Sequence, residues 1–157
     1  MQICRPLDLE GIRRGLRDGN VTLKKMGVLI PHYNPSCPYH VIVESRVQDW
    51  ELGRRSVPEY VFCAYAAVVV DDWSRDREEA SLADIVDIDY RYGSMLDPGF
   101  GELLKLEHQV ALSSDPALVA IVPMLASQRN RWKEHFEDLF KLDIGRVWGG
   151  LTRVLSG

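Results

Sequence analysis

A chain of 157 residues, 46% of them hydrophobic and 27% charged, has the size and make-up of a single globular domain over 1–157, with enough apolar content to fold without disulfide or metal staples. Its net charge of −4 argues against a protein that coats nucleic acid or an anionic membrane, because such proteins carry a cationic excess. The charge is uneven: residues 1–26 carry a net +3, residues 27–122 a net −9 and residues 123–157 a net +2, which offers an acidic middle to a basic partner.

The N-terminus lacks the basic-then-apolar pattern of a secretory signal. Cys4, Cys37 and Cys63 are too few and too widely spaced for a disulfide framework or a Cys-x-x-Cys pair. Both features point to the reducing cytoplasm. The longest apolar run, 60–70, is too short to cross a bilayer core of about 30 Å.

Leu9, Ile12 and Leu16 recur at helical spacing between Asp8, a natural N-cap, and Gly19, and predict an amphipathic helix over 9–18. Residues 21–30 and 39–47 are rich in β-branched side chains and predict two strands. The segment between them holds Pro31, Pro35 and Pro38 and reads as a loop, so the pair forms a small antiparallel sheet. Ser56-Val57-Pro58-Glu59 is a Ser-x-x-Glu capping box, and the run behind it is apolar on every side, which predicts a buried central helix over 57–73.

Residues 81–92 begin like a helix, yet Val86, Ile88, Tyr90 and Tyr92 alternate with Asp87, Asp89 and Arg91, which predicts a helical turn running into a strand. Asp97-Pro98 opens a helix to about Leu112, and Ser114-Asp115-Pro116 opens another to about Leu142, which Pro123 must kink or split. Asp143 caps a last helix over 144–155. The fold expected is helix-rich α+β: a small N-terminal antiparallel sheet against four to five helices around the buried one.

His32, Tyr33, Cys37 and His40 crowd one proline-braced loop, 32–40, and are the candidate ligand-binding residues. Imidazole and thiolate suit zinc, but His-x4-Cys-x2-His supplies three local ligands and fits no zinc pattern, so no metal and no cofactor is assigned. Asp71 and Asp72, with Asp87 and Asp89 on one face of the expected strand, are the candidate acidic face. Glu107-His108 and Glu134-His135 lack the Glu-x-x-His spacing of a helical-bundle metal site. The basic run 128–133 is followed at once by Glu134, Glu137 and Asp138, which cancel much of its field, and argues against a nucleic-acid partner.

Glycine-rich phosphate loops, nucleophile elbows and His-Glu-x-x-His are all missing from the sequence. The expectation is a small cytoplasmic binding or regulatory protein that works through protein contacts, with homo-oligomerisation left open. The alternative is a small-ligand-binding or metal-dependent enzyme with its site on the 32–40 loop.

Overall fold

The computed structural model describes residues 7–17 and 21–142, and each of the eight elements among them is an α-helix. In chain order these are α1 (Leu9–Gly15), α2 (Leu23–Tyr33), α3 (Glu44–Glu51), α4 (Glu59–Glu79), α5 (Leu82–Leu96), α6 (Pro98–Ala111), α7 (Pro116–Val119) and α8 (Val122–Phe140). The chain divides into two compact units, Met1–Asp72 and Trp73–Gly157, with the boundary inside α4. None of the described helices is long and apolar enough to cross a membrane.

The expected N-terminal antiparallel sheet is absent among the described residues, and both of its strands are corrected. Residues 23–33 form α2, not a strand: Thr22 caps it by accepting from the Lys25 N–H at 3.1 Å, and Met26, Gly27 and Ile30 fall on its buried face. Helical spacing of the apolar residues outweighs the β-propensity of Val28 and Ile30, which is a weak, context-dependent preference. Pro31 lies in the last turn of α2, close to where the helix stops. The second expected strand is a stretch with bends at His40 and Val41 that gives way to α3, whose Val47 and Trp50 are buried.

Gly27 is where that stretch crosses α2. Ile42 donates its N–H to the Gly27 carbonyl at 3.0 Å, and a Cβ on Gly27 would lie 2.0 Å from the Ile42 oxygen. Only glycine permits so close a backbone approach.

The buried helix is present and longer than expected. Along α4, Val61, Cys63, Ala64, Tyr65, Ala66, Val68, Val69 and Val70 are all buried. It starts at Glu59, so Ser56 lies outside it and the anticipated capping box is not formed. Within the first unit, Arg13 of α1 donates through Nε to Glu51 of α3 at 3.0 and 2.8 Å, and the Tyr65 hydroxyl of α4 donates to Glu51 Oε2 at 2.7 Å. One carboxylate thereby joins three helices.

In the second unit the expected strand over 86–92 is likewise corrected, to part of α5. Ile85, Asp89, Tyr92 and Leu96 recur at helical spacing and are buried. The α5–α6 hairpin closes tightly: Asp97 caps α6 by accepting from the Gly99 N–H at 2.8 Å, and a Cβ on Gly101 would meet Ser94 Oγ at 1.9 Å. Pro123 divides its stretch as expected, with α7 before it and Pro123 itself in the first turn of α8, where a missing N–H costs little. An aromatic core runs through this unit. Trp73 stacks on Tyr92 at 6.3 Å, and Phe100 meets Trp73 at 6.1 Å and Phe136 at 5.2 Å. The helix expected over 144–155 lies outside the described residues.

Candidate functional site

The candidate residues of the 32–40 segment lie at the end of α2 and in the loop that follows it. His32 and Tyr33 end α2, with their rings edge to face at 5.1 Å. The Tyr33 hydroxyl donates to Asp71 Oδ2 at 2.7 Å, and the half-buried Cys37 thiol points to the Tyr39 carbonyl at 3.5 Å. His32 and His40 are exposed. Among the described residues, no group of three His, Cys, Asp or Glu side chains is placed to hold a metal ion.

The four candidate acidic residues have different surroundings. Asp71 is half-buried against Tyr33, and Asp72, also half-buried, accepts from the Arg17 N–H at 2.8 Å. On a strand Asp87 and Asp89 would share a face, but on a helix two positions apart they diverge by about 200°. Asp87 is exposed and Asp89 is fully buried.

Asp89 is the centre of the densest polar cluster described. Its Oδ1 accepts from the Trp73 indole N–H at 2.8 Å and from Arg77 Nε at 2.7 Å. Its Oδ2 accepts from an Arg77 terminal nitrogen at 3.2 Å and lies 2.7 Å from His108 Nε2. Two contacts per oxygen fill the capacity of a carboxylate. Burial alone would raise the Asp89 pKa, but the bonds from His108 and Arg77 outweigh it and hold the carboxyl below its ordinary range. Close by in sequence, Tyr92 donates its hydroxyl to Asp76.

The residue next to His108 turns to another helix. Glu107 pairs with Arg129 of α8, while its Oε2 is buried with no hydrogen-bond partner. Burial raises the Glu107 pKa, with Arg129 and His108 opposing and Asp89 adding to the rise. Adjacent positions on α6 thus reach two neighbours, α5 through His108 and α8 through Glu107. The same pairing explains the basic run 128–133: Arg129 turns inward to Glu107, Lys133 sits 3.6 Å from Glu137, and Trp132 packs on Phe136.

By sequence Asp89 falls on an acidic face, and the roles of Trp73, Arg77, Glu107, His108 and Arg129 emerge only from the structure. One signal for them existed. Asp89 stands in the helical stripe between Ile85 and Tyr92, and His108 stands one turn after Leu104 in the stripe of α6.

Chemically, the cluster is a clamp. A carboxylate orienting an imidazole is the second half of a nucleophilic triad, but here the His108 side chain is only 5% exposed, which leaves its ring out of reach of a substrate. It ties the end of α4 to α5 and α6. No known protein family, no curated protein and no solved structure matches the chain.

Proposed function

We propose that this is a small cytoplasmic binding protein that acts through protein contacts, taking a basic, amphipathic segment of a partner on an acidic surface at the α4–α5 turn. The observation that carries the reading is the make-up of residues 78–87. Glu78, Glu79, Asp84 and Asp87 are exposed there, the stretch has no Lys or Arg, and Leu82 stands among them 68% exposed. Carboxylates around an apolar side chain complement a partner that places an apolar residue among lysines and arginines. The acidic face expected from sequence is kept in this reading, but moved: Asp87 belongs to it, while Asp71, Asp72 and Asp89 serve contacts within the fold. Cys37 and Cys63 are free thiols, which suits a reducing compartment.

The test is fluorescence anisotropy with the full chain and two labelled helical peptides that share apolar positions, one lysine-rich and one glutamate-rich. The lysine-rich peptide is expected to bind more tightly, to weaken as salt rises, and to lose affinity when Asp84→Lys and Asp87→Lys are combined or when Leu82→Ser is made. Equal binding of both peptides, indifference to salt, or an unchanged affinity in the variants would overturn the reading.

A further inference from the structure

We propose that Ser56 is a phosphorylation site for an arginine-directed protein kinase using a nucleoside triphosphate, and that Arg54 and Arg55 hold the phosphate once it is attached. The residues from Leu52 to Ser56 are all exposed on the connection between α3 and α4, and Gly53 turns the chain there with a φ of 74°. The Ser-x-x-Glu pattern suggested a capping role for Ser56, but α4 begins at Glu59, so the hydroxyl is not engaged as that helix's cap. Helical and buried serines are poor acceptors, because a kinase must draw the acceptor and its flanks into an open groove. Ser56 is exposed and lies outside the helices, and its N-terminal flank is exposed throughout, while Val57 and Pro58 are half-buried ahead of α4.

Arg54 and Arg55 supply the recognition. Their side chains are 65% and 57% exposed, and they gather loosely around Asp49, at 3.8 and 3.4 Å. Those distances are long for ion pairs, and exposed pairs of this kind contribute little, so the guanidiniums can exchange Asp49 for a stronger anion. A kinase groove lined with carboxylates would take them first, and a phosphate dianion on Ser56 would take them afterwards.

The reaction balances without any redox partner. Ser56 Oγ attacks the terminal phosphorus of the nucleotide and the new O–P bond forms as the bridging O–P bond breaks. A nucleoside diphosphate leaves, and the hydroxyl proton passes to the kinase's base. The product places about two negative charges beside the two arginines and just ahead of the first turn of α4, where the helix dipole favours an anion.

The experiment exposes the folded full-length chain to a panel of arginine-directed serine/threonine kinases with Mg²⁺-ATP, and follows intact mass and peptide maps. One phosphoryl group on Ser56 is expected, lost in Ser56→Ala, retained in Ser56→Thr, and slowed at least about tenfold in the combined Arg54→Gln and Arg55→Gln variant. Phosphorus NMR of the product is expected to titrate below the usual value of about 6, because the guanidiniums favour the dianion. No phosphoryl gain, a gain that survives Ser56→Ala, or a rate indifferent to the arginine variant would overturn the site. A titration midpoint at or above the usual value would overturn the role given to the two arginines.

Discussion

Asp89 and His108, nineteen positions apart on α5 and α6, meet at 2.7 Å with side chains that are 0% and 5% exposed. The carboxylate is also held by the Arg77 guanidinium, whose side chain is only 5% exposed. Polar groups withdrawn from water in this way stabilise the fold only while all of them are present, because each supplies a hydrogen-bond partner that the others have lost from water. Asp89→Asn keeps the shape but removes the carboxylate charge that Arg77 Nε meets at 2.7 Å. It is expected to destabilise the protein by about 3–5 kcal/mol, read from the midpoint of urea unfolding at constant slope. A loss below about 1 kcal/mol would mean that the cluster is solvated.

The two buried carboxylates of this region impose opposite pH dependences. Asp89 is held below its ordinary value of 3.8, so its contribution is complete above that value and is lost as pH falls through its folded pKa. Glu107 is raised above its ordinary 4.5, so the folded chain holds that proton more tightly, and the associated stability is present below 4.5 and lost as pH rises through the folded pKa. The Glu107→Gln variant, whose amide oxygen can still accept from Arg129, should therefore gain stability relative to wild type as pH rises from about 4 to about 8. Asp89→Asn should show its deficit at neutral pH and lose it in acid. Thermal midpoints of the three chains from about pH 2 to about pH 8 give both comparisons, and parallel curves would contradict the assignment.

Cap and proline signals were the legible part of this fold, because they are local. Asp97-Pro98 and Asp115-Pro116 mark helix starts in the sequence and in the structure alike, and Pro123, expected to kink or split its stretch, falls in the first turn of α8. The apolar run behind Glu59 forms the buried helix that its composition suggests, with Val61, Ala64, Tyr65, Val68 and Val69 all buried. Over 21–30 the β-branched composition hides the helical spacing of Met26 and Ile30, and over 86–92 a polar residue occupies a core position. In α5 the fully buried Asp89 interrupts the helical stripe, so the accidental alternation of Val86, Ile88, Tyr90 and Tyr92 dominates the pattern. Its burial is balanced by Arg77 and His108, which come from elsewhere in the chain and which no local spacing reveals. Ser56-Val57-Pro58-Glu59 misled in the other direction, since a complete local motif is not used as a cap.

The α5–α6 hairpin depends on missing side chains. A Cβ on Gly101 would lie 1.9 Å from Ser94 Oγ, 2.8 Å from its backbone nitrogen and 2.9 Å from its Cα. The hydroxyl could rotate away, but the backbone atoms could not. Gly101→Ala is expected to force α5 and α6 apart and to cost about 1–3 kcal/mol, although alanine is the better helix former by about 1 kcal/mol. Pairing it with Ser94→Gly separates the causes. If the backbone approach sets the cost, the double variant recovers at most part of the loss in thermal melts, and full recovery would show that the hydroxyl alone is the obstacle.

Glu51 is the corresponding single point of failure in the first unit. Its side chain is 3% exposed, it receives Arg13 Nε on both oxygens, and it receives the Tyr65 hydroxyl on Oε2. Burial, together with the neighbouring Glu51 charge, pushes the Tyr65 hydroxyl far above its ordinary range, so it remains a donor throughout the accessible pH range. Arg13 also donates to the Val21 carbonyl at 2.9 Å, so it keeps one partner when Glu51 is lost. Tyr65→Phe removes one hydrogen bond to a charged group and should cost about 1.5–3 kcal/mol, while Glu51→Ala strips both donors and should cost more. In a double-mutant cycle the combined variant should lose less than the two single losses together, since once Glu51 is gone the hydroxyl has no carboxylate to reach. Strict additivity in chemical denaturation would show that the two side chains act independently.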